Sequence, residues 1–288
     1  MRAERTRSLI RCGSRGRGPR LLAVLITVAL LGICGETRAA LVDEELWRTG
    51  RKDLAAGRVA DAWKNFNTLL EQYPEEPQLR LMTGLAALKH GERETALAQV
   101  TKAVALAPDD AEALTLLAWL YMEVADELDT AIASYRKVTL LKPEIPEVHN
   151  NLGVALKRNG DLEQAVGSFS RALELNPDFA QAASNRGWAH VDQGEWKAAK
   201  ADFERSLALR PDDDGALYGL SRVRKELRDY SGAQDALARL SGRSQNFVYW
   251  LEWAMIGVIR YYWVFLLLTL GLFFYFRYKA RTRVKVDG

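Results

Sequence analysis

"VHNNLGVALKRNGDLEQAVGSFSRALELNP", Val148 to Pro177, is the stretch on which the reading of this chain turns. Within it, "LEQAVGSFSRALEL", Leu162 to Leu175, places apolar residues at helical spacing, so one side of that helix is an apolar stripe. Gly160 separates it from a helix before it, and Pro177 stops it. A single helix pair of this kind cannot bury both of its apolar faces, whereas a stack of such pairs can.

The same marks return at a fixed interval. Helix-stopping prolines stand at Pro74, Pro108, Pro143, Pro177 and Pro211, separated by 34, 35, 34 and 34 residues. A small residue keeps step at Ala62, Ala96, Ala131, Ala165, Ala199 and Ala233. Four positions after each comes a larger apolar one: Phe66, Val100, Tyr135, Phe169, Phe203 and Leu237. Gly50, Gly84, Gly153 and Gly187 hold one further register, and the turn glycines Gly57, Gly91, Gly160 and Gly194 another. The small positions let neighbouring helices approach and the large ones fill the space between them. The turn glycine tolerates positive φ, and Pro146 suits the first turn of a helix. The repeated stop sets helix length, so every unit stacks in register. The third unit departs from the rule, with one extra residue around "EVADELD", Glu123 to Asp129, and no turn glycine.

Val148 to Pro177 resembles the tetratricopeptide repeat (TPR), and the resemblance runs over about 43 to 241. Five full repeats start near Asp43, Pro77, Ala111, Pro146 and Ala180, and a degenerate sixth runs from near Asp214 to near Leu240. The resemblance implies an all-α fold, a TPR α-solenoid whose first helices line a concave groove that binds peptides or partner helices. Carried onto this chain, the groove positions are Trp47, Arg51, Leu85, Trp119, Met122, Asn150, Lys157, Trp188, Tyr218 and Arg222. Aromatic and arginine side chains are the residues that most often anchor an interface. The alternative for each is packing against a neighbouring helix. A variant of the family grips a terminal carboxylate with Lys and Asn, and that constellation is not found at the matching positions. Asn151 and Asn185 hold a generic repeat position and are expected to support packing.

The two ends differ from the middle. The first 39 residues carry eight Arg against two Glu, and 247–288 carry six Lys or Arg against two acids. The 26 bases and 33 acids left between them make the middle acidic, a poor surface for a phosphate backbone. "LLAVLITVALLGICG", Leu21 to Gly35, is an apolar run of 15 residues after an Arg-rich start and before small residues, the order of a secretory signal peptide cut after Ala39. An uncleaved anchor, an organellar transit peptide and a lipoprotein start at Cys34 are the alternatives. At the other end, Tyr261 to Phe276 holds 16 uncharged residues, and "WAMIGVI" upstream extends them, so one transmembrane helix is expected over 250–276 after a linker at 242–249. A buried core helix is the alternative. Tyr261, Tyr262 and Trp263 would form one aromatic belt and Phe276 and Tyr278 the other, with Arg260 snorkelling to the surface or facing a partner in the membrane. Arg277, Lys279, Arg281, Arg283 and Lys285 make 277–288 a basic tail, cytoplasmic by the positive-inside rule.

Chemistry-bearing motifs are sparse. The only cysteines, Cys12 and Cys34, lie in the signal segment, so the mature chain would hold no thiol for a disulfide, a nucleophile or a Cys-ligated metal. His90, His149 and His190 form no metal-ligand spacing, and no Walker loop, H-E-x-x-H or G-x-S-x-G is present. "PDDAE" and "PDDDG" fall at repeat junctions, where acids cap the next helix. The expectation is a non-enzyme with no cofactor or metal. It would be a membrane-anchored scaffold of the bacterial inner membrane, its array periplasmic, that binds other proteins to assemble or stabilise an envelope complex. A tail-anchored receptor facing the cytosol and an accessory subunit of a membrane enzyme are the rival readings.

Overall fold

The computed structural model describes residues 43–243 and 246–283. The segment expected to be a signal peptide, with Cys12 and Cys34, and the end of the basic tail at Lys285 lie outside the described residues. Every regular element among the described residues is helical.

The chain divides into two compact units, Met1–Pro143 and Glu144–Gly288. In the first, α1 (Glu44–Ala55) pairs with α2 (Val59–Gln72), α3 (Pro77–His90) with α4 (Arg93–Leu106), and α5 (Ala111–Leu120) with α6 (Leu128–Leu141). In the second, α7 (Pro146–Asn159) pairs with α8 (Leu162–Leu175), α9 (Ala180–Gln193) with α10 (Trp196–Leu209), and α11 (Asp214–Glu226) with α12 (Tyr230–Ser241). α13 (Phe247–Arg283) follows and packs on α12.

The periodic residues are the ones that hold each pair together. All six alanines of the small register, Ala62 to Ala233, are fully buried, and so are Phe66, Val100, Tyr135, Phe169, Phe203 and Leu237 four positions on. The glycine register explains how the helices come so close. A Cβ on Gly153 would lie 2.6 Å from Phe169 Cε1, one on Gly50 2.8 Å from Phe66 Cε1, and one on Gly187 2.9 Å from Phe203 Cε1. The absent side chain of the first helix is thus the seat of the aromatic ring on the second. Ala118 and Ser221, both buried, stand at the same register in the third and sixth units.

The helix ends follow from local chemistry. Tyr73, Ala107, Lys142, Asn176 and Arg210 close the second helices with φ between −126° and −138°, the extended backbone that a following proline imposes. Pro77 and Pro146 occupy a first helical turn. Asp110 Oδ1 accepts from the backbone N–H groups of Glu112 and Ala113 at 2.9 and 3.1 Å, and Asp213 caps α11 in the same way. The acidic junctions are therefore caps. Gly57, Gly91, Gly160 and Gly194 all have φ between +77° and +99°.

The third unit resolves its irregularity in the backbone. α5 runs into a π-helical turn, Tyr121–Ala125, and Asp126 takes the left-handed conformation (φ 55°) where four other units place glycine. A wider turn takes up the extra residue without disturbing the alanine register. Arg228 occupies the sixth unit's turn in the same conformation (φ 61°).

α13 begins at Phe247, inside the stretch expected to be a linker. Among the described residues no single helix is long and apolar enough to cross a membrane; Phe247–Val264 and Leu266–Arg277, which meet at a bend of 43°, together have that length and composition. The one transmembrane helix expected over 250–276 is therefore not shown as a single helix, and only the bent pair has the length and composition for it.

Candidate functional site

In the first unit the expected groove residues fall into two groups. Trp47 is half-buried, its ring edge-on to Phe66 at 5.6 Å. With Arg51, Glu44, Arg48, Lys52 and Ala55 it lines a shallow depression on α1. Arg51 carries a buried Nε with no hydrogen-bond partner. Its charge is felt by Glu112 of α5, whose carboxyl is held above the ordinary glutamate range by burial first and by Asp110 second, against the pull of Arg51 and Lys142. Leu85, Trp119 and Met122 are buried, and so stand with the core rather than on an open surface. The small gap between a groove position and a core position is not readable from residue type.

In the second unit the first helices α7, α9 and α11 carry the rest. Asn150 is buried at 2% exposure and accepts from Asn185 Nδ2 of the next repeat at 2.9 Å, a polar link between α7 and α9. Asn150 also donates to Asn151 at 3.4 Å. Asn150 is therefore a packing residue, and Asn185 is its partner. Lys157 forms an ion pair with Asp192 of α9 at 3.0 Å and is partly exposed.

Trp188, Tyr218 and Arg222 come together. The Trp188 ring stands edge-on to Phe203 at 5.3 Å and lies 6.3 Å from Tyr218. The Arg222 guanidinium sits over Trp188, 5.7 Å from its centroid, a cation–π arrangement. Tyr218 then meets Tyr249 of α13 at 5.5 Å, and its hydroxyl donates to Glu252 Oε1 at 3.3 Å. Burial, and next the Glu252 charge, push the Tyr218 phenol above its usual range. Tyr249 and Glu252 were not among the groove positions expected from the sequence. The signal that could have found them is the period itself, since Glu252 follows Tyr218 by 34 residues.

α13 is seated by more than this contact. Ile256 is 2% exposed against Ala233 and Leu237 of α12, and Gln234 Nε2 donates to the Trp253 carbonyl at 3.3 Å. Arg260 donates to Gln234 Oε1 at 3.2 Å. Past Arg260 the helix presents bare apolar side chains, among them Leu267 at 68%, Phe273 at 58% and Phe276 at 59% exposure.

His90 and His190 lie against neighbouring side chains. His90 packs at 4.7 Å against Trp63 with the rings tilted by 36°, and His190 Nδ1 lies 2.7 Å from Glu195 Oε2. Beside it Arg186 grips the buried Asp202 through Nε and Nη2 at 2.8 and 2.6 Å and reaches Ser170 through Nη1 at 3.0 Å, tying α8, α9 and α10 together. Among the described residues no group of three or more His, Cys, Asp or Glu side chains could hold a metal ion.

Comparison with known proteins agrees with this architecture. One tetratricopeptide repeat model matches residues 48–111 and 150–214, a second matches 190–251, and a TPR repeat model matches 126–160. Among solved structures, the MamA protein superposes with a TM-score of 0.53 at 21% identity over 58% of this chain and 90% of its own. MamA MSR-1 gives a TM-score of 0.52 at 25% identity, over 57% of this chain and 94% of its own. YrrB, a TPR protein with an unusual peptide-binding site, gives 0.53 at 20% identity over 65% of this chain and 96% of its own. No curated protein matches the chain.

Proposed function

The chain belongs to the tetratricopeptide repeat family, and from that premise we infer that it is a non-catalytic docking scaffold held at a membrane by its carboxyl-terminal helix. Repeat arrays of this kind present extended surfaces for other polypeptides. Here the surface is the first-helix face of the second unit, where Trp188, Tyr218 and Arg222 stand half-buried to exposed and already in register with one another. Three such anchors, two rigid rings and a guanidinium, are of the residue types that dominate hot spots. YrrB offers a precedent within the same fold for peptide binding.

One observation carries the membrane part. α13 packs on the array only as far as Arg260, and beyond it bulky apolar side chains are exposed around the whole helix. Water does not tolerate an uncovered surface of this kind on a helix apolar on every side, and a bilayer does. The Arg and Lys residues from Arg277 to Lys285 then lie on the cytoplasmic side, and the array faces the periplasm. Tethering raises the concentration of the docking face toward membrane partners. The partners are proteins, and their assembly into an envelope complex is the role proposed for the scaffold.

Two experiments test this. A reporter fused after Leu240 and another after the last residue are expected to be active in opposite compartments; activity in the same compartment contradicts the anchor. Purification in mild detergent is expected to co-elute a discrete partner that Trp188→Ala and Arg222→Ala lose while the helical circular dichroism is unchanged. Retention of the partner by both variants contradicts the docking face.

A further inference from the structure

We propose that the end of the first-helix face in the second unit, where Glu252 bonds Tyr218 and Tyr218 is flanked by Trp188 and Tyr249, is a recognition site for an arginine side chain of a partner polypeptide, an inference that rests on the docking role above. The starting point is Glu252. Its Oε1 takes the Tyr218 hydroxyl at 3.3 Å, and its Oε2 is buried without a hydrogen-bond donor. An enclosed carboxylate oxygen without a donor is costly, and a charged donor relieves the cost most.

The surroundings select the donor. Tyr218 lies 6.3 Å from Trp188 and 5.5 Å from Tyr249, so the carboxylate is bonded to the ring that links the other two. Ring faces attract cations, and a guanidinium both stacks on a ring and offers paired donors to a carboxylate. Arg222 demonstrates the stacking half of this at 5.7 Å over Trp188. Among the described residues no donor reaches Glu252 Oε2, Arg222 included, so that oxygen is left for another guanidinium. The acidic balance of residues 40–246, 26 bases against 33 acids, favours a cationic partner at long range.

The repeat phase explains why position 252 comes to lie beside Tyr218. Glu252 is one repeat length past Tyr218, so the opening turns of α13 take the place of the first helix of a seventh repeat. The packing of Ile256 on Ala233 and Leu237 and the two contacts of Gln234 hold that helix at a set height. The site is therefore built half from the array and half from the anchor helix, at the end of the array nearest the exposed apolar segment.

The test uses the full chain in lipid nanodiscs. A display library of random twelve-residue peptides is panned on it, and one selected peptide is synthesised with arginine and with citrulline, which keeps the shape and removes the charge. Binding is read by fluorescence anisotropy against the natural chain, Glu252→Gln and Arg222→Ala. Selected peptides are expected to share an arginine. Citrulline and Glu252→Gln are each expected to weaken binding about tenfold or more, with no further loss when combined. The citrulline comparison needs no protein variant, so a folding defect in Glu252→Gln cannot hide the answer. Binding peptides that share no arginine, or affinity indifferent to Glu252→Gln, overturn the site and leave the docking role standing. Acidic peptides lost with Arg222→Ala overturn it in favour of Arg222. Failure to select any peptide, together with partner retention by Trp188→Ala, removes the docking role as well.

Discussion

The Tyr218 hydroxyl donates to Glu252 Oε1 across 3.3 Å, and the two residues stand 34 positions apart. A repeat-length contact between α11 and α13 means that the apolar helix starts in phase with the array and closes its last helix pair. A chain ended after Arg260 keeps the Ile256 packing and is expected to melt with the full array. A chain ended after Ser241 loses that packing, about 2 kcal/mol for one buried isoleucine, and exposes Ala233 and Leu237. Hydrogen exchange is expected to show α12 losing protection first, and equal protection in the two truncated chains would contradict the seating of α13.

Gly153 and Gly167 offer a paired comparison. A Cβ at Gly153 would stand 2.6 Å from the Phe169 ring, whereas one at Gly167 meets nothing within 4 Å. Gly153→Ala is expected to lower stability by about 1–2 kcal/mol, overpacking outweighing the gain in helix propensity. Gly167→Ala in the interior of α8 is expected to raise it by up to about 1 kcal/mol. Thermal denaturation followed by circular dichroism reads both, and shifts of the same sign would mean that the ring does not sit against Gly153.

Arg228 holds a left-handed backbone at a turn where four other units place glycine. That conformation costs a residue with a Cβ about 1–2 kcal/mol, part of which glycine returns as unfolded-chain entropy. Arg228→Gly is therefore expected to stabilise the sixth unit by about 0.5 kcal/mol, visible as a higher denaturant midpoint. A lower midpoint would show that the Arg228 side chain contributes more than its backbone loses.

Glu112 gives a pH dependence with a definite sign. Its folded carboxyl titrates above the ordinary glutamate range, chiefly because burial disfavours the charge. Between the ordinary value and the raised one the folded chain binds more protons than the unfolded, so stability falls as pH rises through that window. Glu112→Gln is expected to stabilise the first unit at neutral pH and to lose that advantage below the ordinary glutamate range. An advantage independent of pH would assign the effect to packing instead.

Much of the fold can be read directly from residue types on a fixed period. Ala165 and Phe169, or Gly187 and Phe203, announce their contacts because one must be small for the other to be large. The third unit could not be read in this way: its surplus residue could become a loop, a bulge or a wider turn, and only backbone geometry selects the π-helical turn ending at Asp126. The arrangement of the expected groove residues was legible in part. Trp188, Tyr218 and Arg222 stand together, whereas Asn150, Trp119 and Leu85 hold equivalent repeat positions and are buried, as is Met122. Exposure depends on what covers a position, and a repeat register does not specify that. Glu252 and Tyr249 were hidden for a different reason, lying at the edge of a long apolar run that masks the repeat phase.

The most direct test of the account is photo-crosslinking in intact membranes from three positions of the full-length chain. A photoreactive residue at Trp188 or Arg222 on the first-helix face is compared with one at Arg171 on the outer helix α8, which is exposed. The account predicts a discrete protein adduct from Trp188 and Arg222 and none from Arg171. Adducts of equal yield from all three positions, or from Arg171 alone, would contradict a docking surface on the first helices.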